Sequence, residues 1–97
     1  MITAIVLIKA AVDRIPEVAE EVADLDGVSE VYSVAGDVDL VAMVRVRRHD
    51  DLADTIAGRL HKVPGVLETH SLIAFRAYSR HDLESAFSLG AENTDPD

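Results

Sequence analysis

At 97 residues the chain is one small domain with a single core and no room for a second module. Hydrophobic residues make up 48% but aromatics only 4%, so the core must be aliphatic, and lean enough to hint at further burial in an oligomer. A formal charge of −9 argues against direct nucleic-acid binding, and the absence of cysteine removes disulfides, thiolate catalysis and Cys-zinc sites.

The chain opens on Ile2-Thr3-Ala4-Ile5-Val6-Leu7-Ile8, a β-branched run apolar on both faces, as in a central strand covered on both sides. Lys9 and Asp13 follow at once, without the basic flank and cleavage site of a signal peptide. No stretch is long enough to span a membrane, so a soluble, cytoplasmic protein is expected. Ile15, Val18, Ala19, Val22 and Leu25 then recur at helical spacing, with Asp13 as N-cap, Pro16 in the first turn and Gly27 past the end. Val28 to Ala35 alternates as a strand, Gly36 to Val38 turns the chain, and Leu40 to Val46 is β-rich again; the three predict a hairpin. Leu52, Ala53, Ile56, Ala57 and Leu60 make a second amphipathic helix, entered through Asp50 or Asp51 and stopped by Pro64-Gly65. Val66 to Ala77 is the last strand.

The halves repeat. Leu25-Asp26-Gly27-Val28-Ser29-Glu30 aligns with Val63-Pro64-Gly65-Val66-Leu67-Glu68. At the same offset Val18-Ala19 aligns with Ile56-Ala57 and Val22 with Leu60. Two joined β-α-β units give β-α-β-β-α-β, a ferredoxin-like α+β fold with a four-stranded antiparallel sheet and both helices on one face. The other face would be bare, yet both sides of the strands are apolar: Ile5 and Leu7 oppose Ala4 and Val6, while Leu67, Ile73 and Phe75 oppose Val66, Leu72 and Ala74. Such a face calls for a second subunit. Residues 1–79 then form the domain, Arg80–Leu89 (with Leu83, Ala86 and Phe87) a helical arm able to wrap a neighbour, and residues 90–97 an acidic disordered tail.

Catalytic signatures are lacking: there is no Gly-x-Ser-x-Gly, phosphate-binding glycine loop or His-Glu-x-x-His. His49, His61, His70 and His81 are scattered along the chain, and a metal site needs converging ligands. Glu68 and His70 share a strand face, but an exposed or interfacial histidine is the simpler reading. Glu17, Glu20, Glu21 and Asp24 read as a solvated helix face. The Gly36-Asp37-Val38-Asp39 turn offers more. Glycine permits positive φ and close approach, turn N–H groups can form an anion-binding concavity, and two carboxylates can accept from an ammonium. An ordinary hairpin corner favours the same residues, so composition leaves both readings open.

The order of elements, the Gly36-Asp37-Val38-Asp39-Leu40 turn, and the run Pro64-Gly65-Val66-x-x-Thr69-x-Ser71 together resemble the C-terminal effector domain of the Lrp/AsnC family. That domain is called RAM, for regulation of amino-acid metabolism, and the resemblance covers residues 1–79. It implies a dimeric α+β barrel type of homodimer formed sheet to sheet, assembly of dimers into rings such as octamers, and an amino acid or related small metabolite bound in clefts between dimers. By matched position Gly36, Asp37, Val38 and Asp39 would face the ligand cleft, and Thr69 and Ser71, alternate residues of one strand, would offer hydroxyls to it. Thr55 and Arg59, a helical turn apart on the less apolar side of the second helix, are placed there by spatial reasoning, completing the pocket from a neighbouring subunit. An Arg59 in the site would favour an acidic ligand or a carboxylate end. Complete regulators of the family carry a helix-turn-helix domain ahead of this unit, whereas Met1 runs straight into the first strand. The chain thus resembles a stand-alone RAM protein that modulates transcription indirectly, through a full-length regulator and not by its own DNA contact.

Two rivals remain. One is a small dimeric α+β barrel enzyme, monooxygenase- or isomerase-like, with a site between sheet and helices; with no Trp and only Tyr32 and Tyr78, its aromatic groups are few, and a polar pocket holding His70 would favour it. The other is a structural partner that binds nothing. No catalytic residue, cofactor or metal is expected.

Overall fold

A computed structural model of the chain describes residues 1–80. Apart from Arg80, the expected arm and tail lie outside these residues. The elements are β1 (Ile2–Ala10), α1 (Ile15–Ala23), β2 (Val28–Ser33), β3 (Leu40–Val46), α2 (His49–Ile56) and β4 (Val66–Ala74), the β-α-β-β-α-β order expected. All four strands join one antiparallel sheet in the order β2-β3-β1-β4. β1 is central, but within the protomer only one of its apolar faces is covered: Ala4, Val6 and Ile8 are buried, while Ile5 and Leu7 on the other face are not.

The core lies between sheet and helices. Ala4, Val6 and Ile8 of β1 and Leu40, Ala42 and Val44 of β3 are fully buried against Val18 and Val22 of α1. Those helical positions are four apart and share one stripe, and Ile15 and Ala19 flank it half-buried. Each large aliphatic side chain so buried contributes about 1.5–3 kcal/mol, and no aromatic is needed to fill the space.

The opposite sheet face is bare. Register sets Ile5 beside Met43 and Leu72, and Leu7 beside Val41 and His70. None of these side chains is buried within the protomer. An Arg45–Glu30 ion pair of 2.7 Å lies on the same face, toward the β2 edge.

Several boundaries differ from the sequence expectation, each for a local reason. β2 stops at Ser33 because its partner β3 begins at Leu40, and the Val34 N–H turns instead to the Asp39 carbonyl at 3.1 Å. β4 stops at Ala74, which pairs with Thr3, because β1 has nearly run out. Asp13 is not an N-cap: it lies inside a 3-10 turn, Val12–Arg14, and Arg14 precedes α1 without a side-chain cap. Pro16 does occupy the first turn of α1. Asp50 and Asp51 lie within the first turn of α2, after Arg48, where carboxylates suit the positive helix end. α2 ends at Ile56, so Leu60 belongs to a separate 3-10 turn (Leu60–Lys62), although it is fully buried. Gly58 makes that break possible, since a Cβ there would sit 2.5 Å from the Asp54 carbonyl oxygen. Finally, Lys9 pairs with Glu68 but Ala10 with Val66, so Leu67 is an extra residue in a bulge. The bulge turns Val66 to the helix side, away from Leu72 and Ala74, with which strict alternation had grouped it.

Candidate functional site

Residues 34–39 connect β2 to β3 and project from one end of the sheet. Gly36 has φ +143°, and a Cβ built there meets nothing within 4 Å. Its glycine is required by backbone conformation alone, in an open and exposed corner. Asp37 is exposed beside it and Val38 is half-buried.

Asp39 has a structural role that composition did not suggest. Its N–H donates to the Ile8 carbonyl at 3.0 Å, and its Oδ2 accepts from the Ala10 N–H at 2.9 Å. β3 diverges from β1 here, and the carboxylate takes the place of the missing main-chain acceptor. Asp39 therefore fixes the turn to the central strand, leaving the second carboxylate oxygen, Asp37 and the turn N–H groups as the polar surface on offer.

Thr69 and Ser71 lie on one face of β4, as expected. That face is the one the helices cover, but β4 is an edge strand and Ser71 stays exposed. Thr69 pairs with Ile8, which pairs with Leu40, so Thr69 and the Gly36 turn share one end of the sheet. With β1 between them, β3 and β4 lie about 10 Å apart. A ligand held by both would need to bridge that end or be shared between protomers.

One residue was missed by sequence reasoning. His61 Nε2 lies 2.6 Å from Thr69 Oγ1. With Val66, Leu67 and Glu68 these two line a cleft of about 280 Å³ at the β4 edge. The signal was present: Pro64-Gly65 reverses the chain, so positions 61 and 69, equally distant from Gly65, return to face each other.

Thr55 and Arg59 lie elsewhere. They line a cleft of about 210 Å³ with Asp26, Gly27, Val46 and other residues, beside the last residue of β3. The Gly36 turn adjoins the first residue of β3, roughly 20 Å away at about 3.3 Å per residue. Within one protomer these two side chains are not brought to the turn or to Thr69. Nor is Thr55 on the less apolar side of α2. It is 1% exposed, its hydroxyl donates to the Asp26 carbonyl at 3.3 Å, and it accepts from Arg59 at 3.5 Å. The inward placement follows from Gly27, at φ +93°, whose missing Cβ would lie 2.6 Å from Thr55 Oγ1. Arg59 is beyond the end of α2, in the link to the next turn.

His70 and Glu68 lie on the bare sheet face, so His70 is not in a polar pocket between sheet and helices. Among the described residues no group of three or more His, Asp or Glu is placed to hold a metal, and no helix is long and apolar enough to cross a membrane.

Comparison with known proteins agrees with this architecture. Residues 3–83 match the family model of the Lrp/AsnC ligand binding domain. TTHA0845 from Thermus thermophilus superposes with a TM-score of 0.77 at 45% identity, covering 82% of this chain and all of that one. AsnC from E. coli superposes with a TM-score of 0.73 at 19% identity, covering 78% of this chain and 52% of that one, a likeness of fold. The transcriptional regulator FL11 of Pyrococcus abyssi is 29% identical over 75 residues, which are 77% of this chain and 49% of the regulator. The chain thus spans about half the length of that curated relative.

Proposed function

The chain belongs to the Lrp/AsnC ligand-binding domain family, and from that premise we propose that it is a non-catalytic effector-binding module serving transcription regulation. The effector is an amino acid or related small metabolite, held where the Gly36 turn and the Thr69–Ser71 edge of β4 from different protomers meet. The observation that carries this reading is the match over residues 3–83, on a fold whose Gly36, at φ +143°, lies in an open turn at the same sheet end as the Thr69 hydroxyl, with Ser71 two residues further along β4. Turn N–H groups suit the carboxylate of a zwitterion, and Asp37 suits its ammonium.

The bare face around Ile5, Met43 and Leu72 supports a homodimer formed sheet to sheet, and the edge clefts support further assembly of dimers into a ring, octamer-like in form. An effector between dimers shifts assembly by binding one arrangement more tightly than another. With a net charge of −9, the domain reports to DNA through a full-length regulator of the same family. The placement of Thr55 and Arg59 supports a separate cleft in the protomer, joined to the effector site only if a neighbouring subunit brings it there.

The test is a thermal-shift and light-scattering survey of the common L-amino acids. At least one should raise the melting temperature or change the assembly, and Gly36→Val should abolish that response. A survey in which no amino acid changes either quantity refutes the reading.

A further inference from the structure

We propose that His61 sets the hydrogen-bonding polarity of the Thr69 hydroxyl, making the β4 edge a pH-gated contact for the carboxylate end of a small ligand. This rests on the reading of Thr69 as an effector contact. A threonine hydroxyl has one proton to give and lone pairs to receive. A neutral His61 with its proton on Nδ1 receives the Thr69 proton across the 2.6 Å contact, so only lone pairs face the cleft, whereas one with its proton on Nε2 already donates to Oγ1; protonation removes the first arrangement. When His61 is protonated, Nε2–H donates to Oγ1 and the Thr69 proton is released toward the cleft, where a carboxylate can accept it.

Charge acts in the same direction. The chain carries −9 overall, so a carboxylate approaching a neutral His61 meets repulsion, although Glu68, which borders the cleft, belongs by register to the opposite face. An imidazolium places a positive charge at the point of contact. The other groups around His61 do not reverse this: Arg59 and Lys62 flank it in its own segment and stay cationic, Val66 and Leu67 do not titrate, and Asp51 and Asp54 of α2 line the other cleft. His61 is thus a positioning residue, acting through Thr69.

The experiment is calorimetric titration of the common L-amino acids at about pH 6 and about pH 8, on either side of the usual histidine range. Wild type should bind about tenfold more tightly at the lower pH, the equivalent of one charge-assisted hydrogen bond. His61→Gln, which keeps an amide but does not titrate, should bind with one affinity at both pH values. His70→Gln, on the other face, should keep the wild-type profile. A flat wild-type profile, or one that survives in His61→Gln, overturns the proposal. Binding that Thr69→Val leaves unchanged overturns it too, while the effector reading survives elsewhere on the turn. If no amino acid binds at either pH, both fall together.

Discussion

Removing the Asp39 carboxylate should destabilise the domain far more than removing that of Asp37, two positions earlier. Asp39 Oδ2 accepts from the Ala10 N–H at 2.9 Å, and Ala10 is only 3% exposed. In Asp39→Ala that N–H keeps its burial but loses its acceptor, at about 1.5–3 kcal/mol for a bond to a charged group. Asp39→Asn retains an oxygen without the charge and should lose about half as much. Asp37 is exposed, so Asp37→Ala should stay within about 0.5 kcal/mol of wild type. At about 4–8 °C per kcal/mol for a domain this size, Asp39→Ala should melt about 6–24 °C lower. Urea and thermal denaturation followed by circular dichroism, at one fixed protein concentration because any self-association would add stability, would measure the series. Equal stability of Asp39→Ala and Asp37→Ala would rule out the anchoring role and return Asp39 to the ligand.

Glycine replacements should separate packing from backbone conformation. Gly27→Ala places a Cβ 2.6 Å from Thr55 Oγ1 at φ +93° and should cost about 2–4 kcal/mol, whereas Gly36→Ala meets open space and should cost about 1 kcal/mol by the same denaturation assay. Thr55→Val keeps the buried volume but strips the Asp26 carbonyl of its partner, so about 1–2 kcal/mol of stability should be lost with the fold intact. Ile5→Arg, at the centre of the bare sheet face, should leave the far-ultraviolet spectrum unchanged but shift sedimentation from dimer-based species toward monomer. Unchanged mass in that variant would place the dimer interface elsewhere.

Much of the fold was legible because three independent signals coincide. The aliphatic periodicity of Val18 and Val22, the matched Gly27 and Gly65, and the alternation of Leu40 to Val46 each specify one part of β-α-β-β-α-β, and they agree. Gly27 and Gly65 also mark the same structural event in each half: the first packs on Thr55 of α2, the second on Val18 of α1. Element ends were less legible, since β2 and β4 stop where their neighbours stop and local sequence does not record that. The Leu67 bulge likewise reverses the parity of Val66, which no periodicity count would show.

At the site, the exposed Gly36 turn was legible from residue type, as was the shared face of Thr69 and Ser71. The division of labour between Asp37 and Asp39 was not, because it depends on which carboxylate reaches the Ala10 N–H across 29 positions of chain. Thr55 was illegible for a similar reason: its neighbours on α2 suggest a polar side, but the partner that buries it is Gly27 on a distant loop. His61 was recoverable from the Pro64-Gly65 reversal, although in sequence it reads as a lone surface histidine.

If the Gly36 turn is part of an effector site shared between protomers, ligand and assembly must respond together. Sedimentation velocity of wild type and Gly36→Val, with and without each common L-amino acid, tests this most directly. At least one amino acid should change the mass distribution of the wild type and leave that of Gly36→Val, folded by circular dichroism, unchanged. A distribution that no amino acid alters, or one altered equally in the variant, would contradict a shared site at this turn.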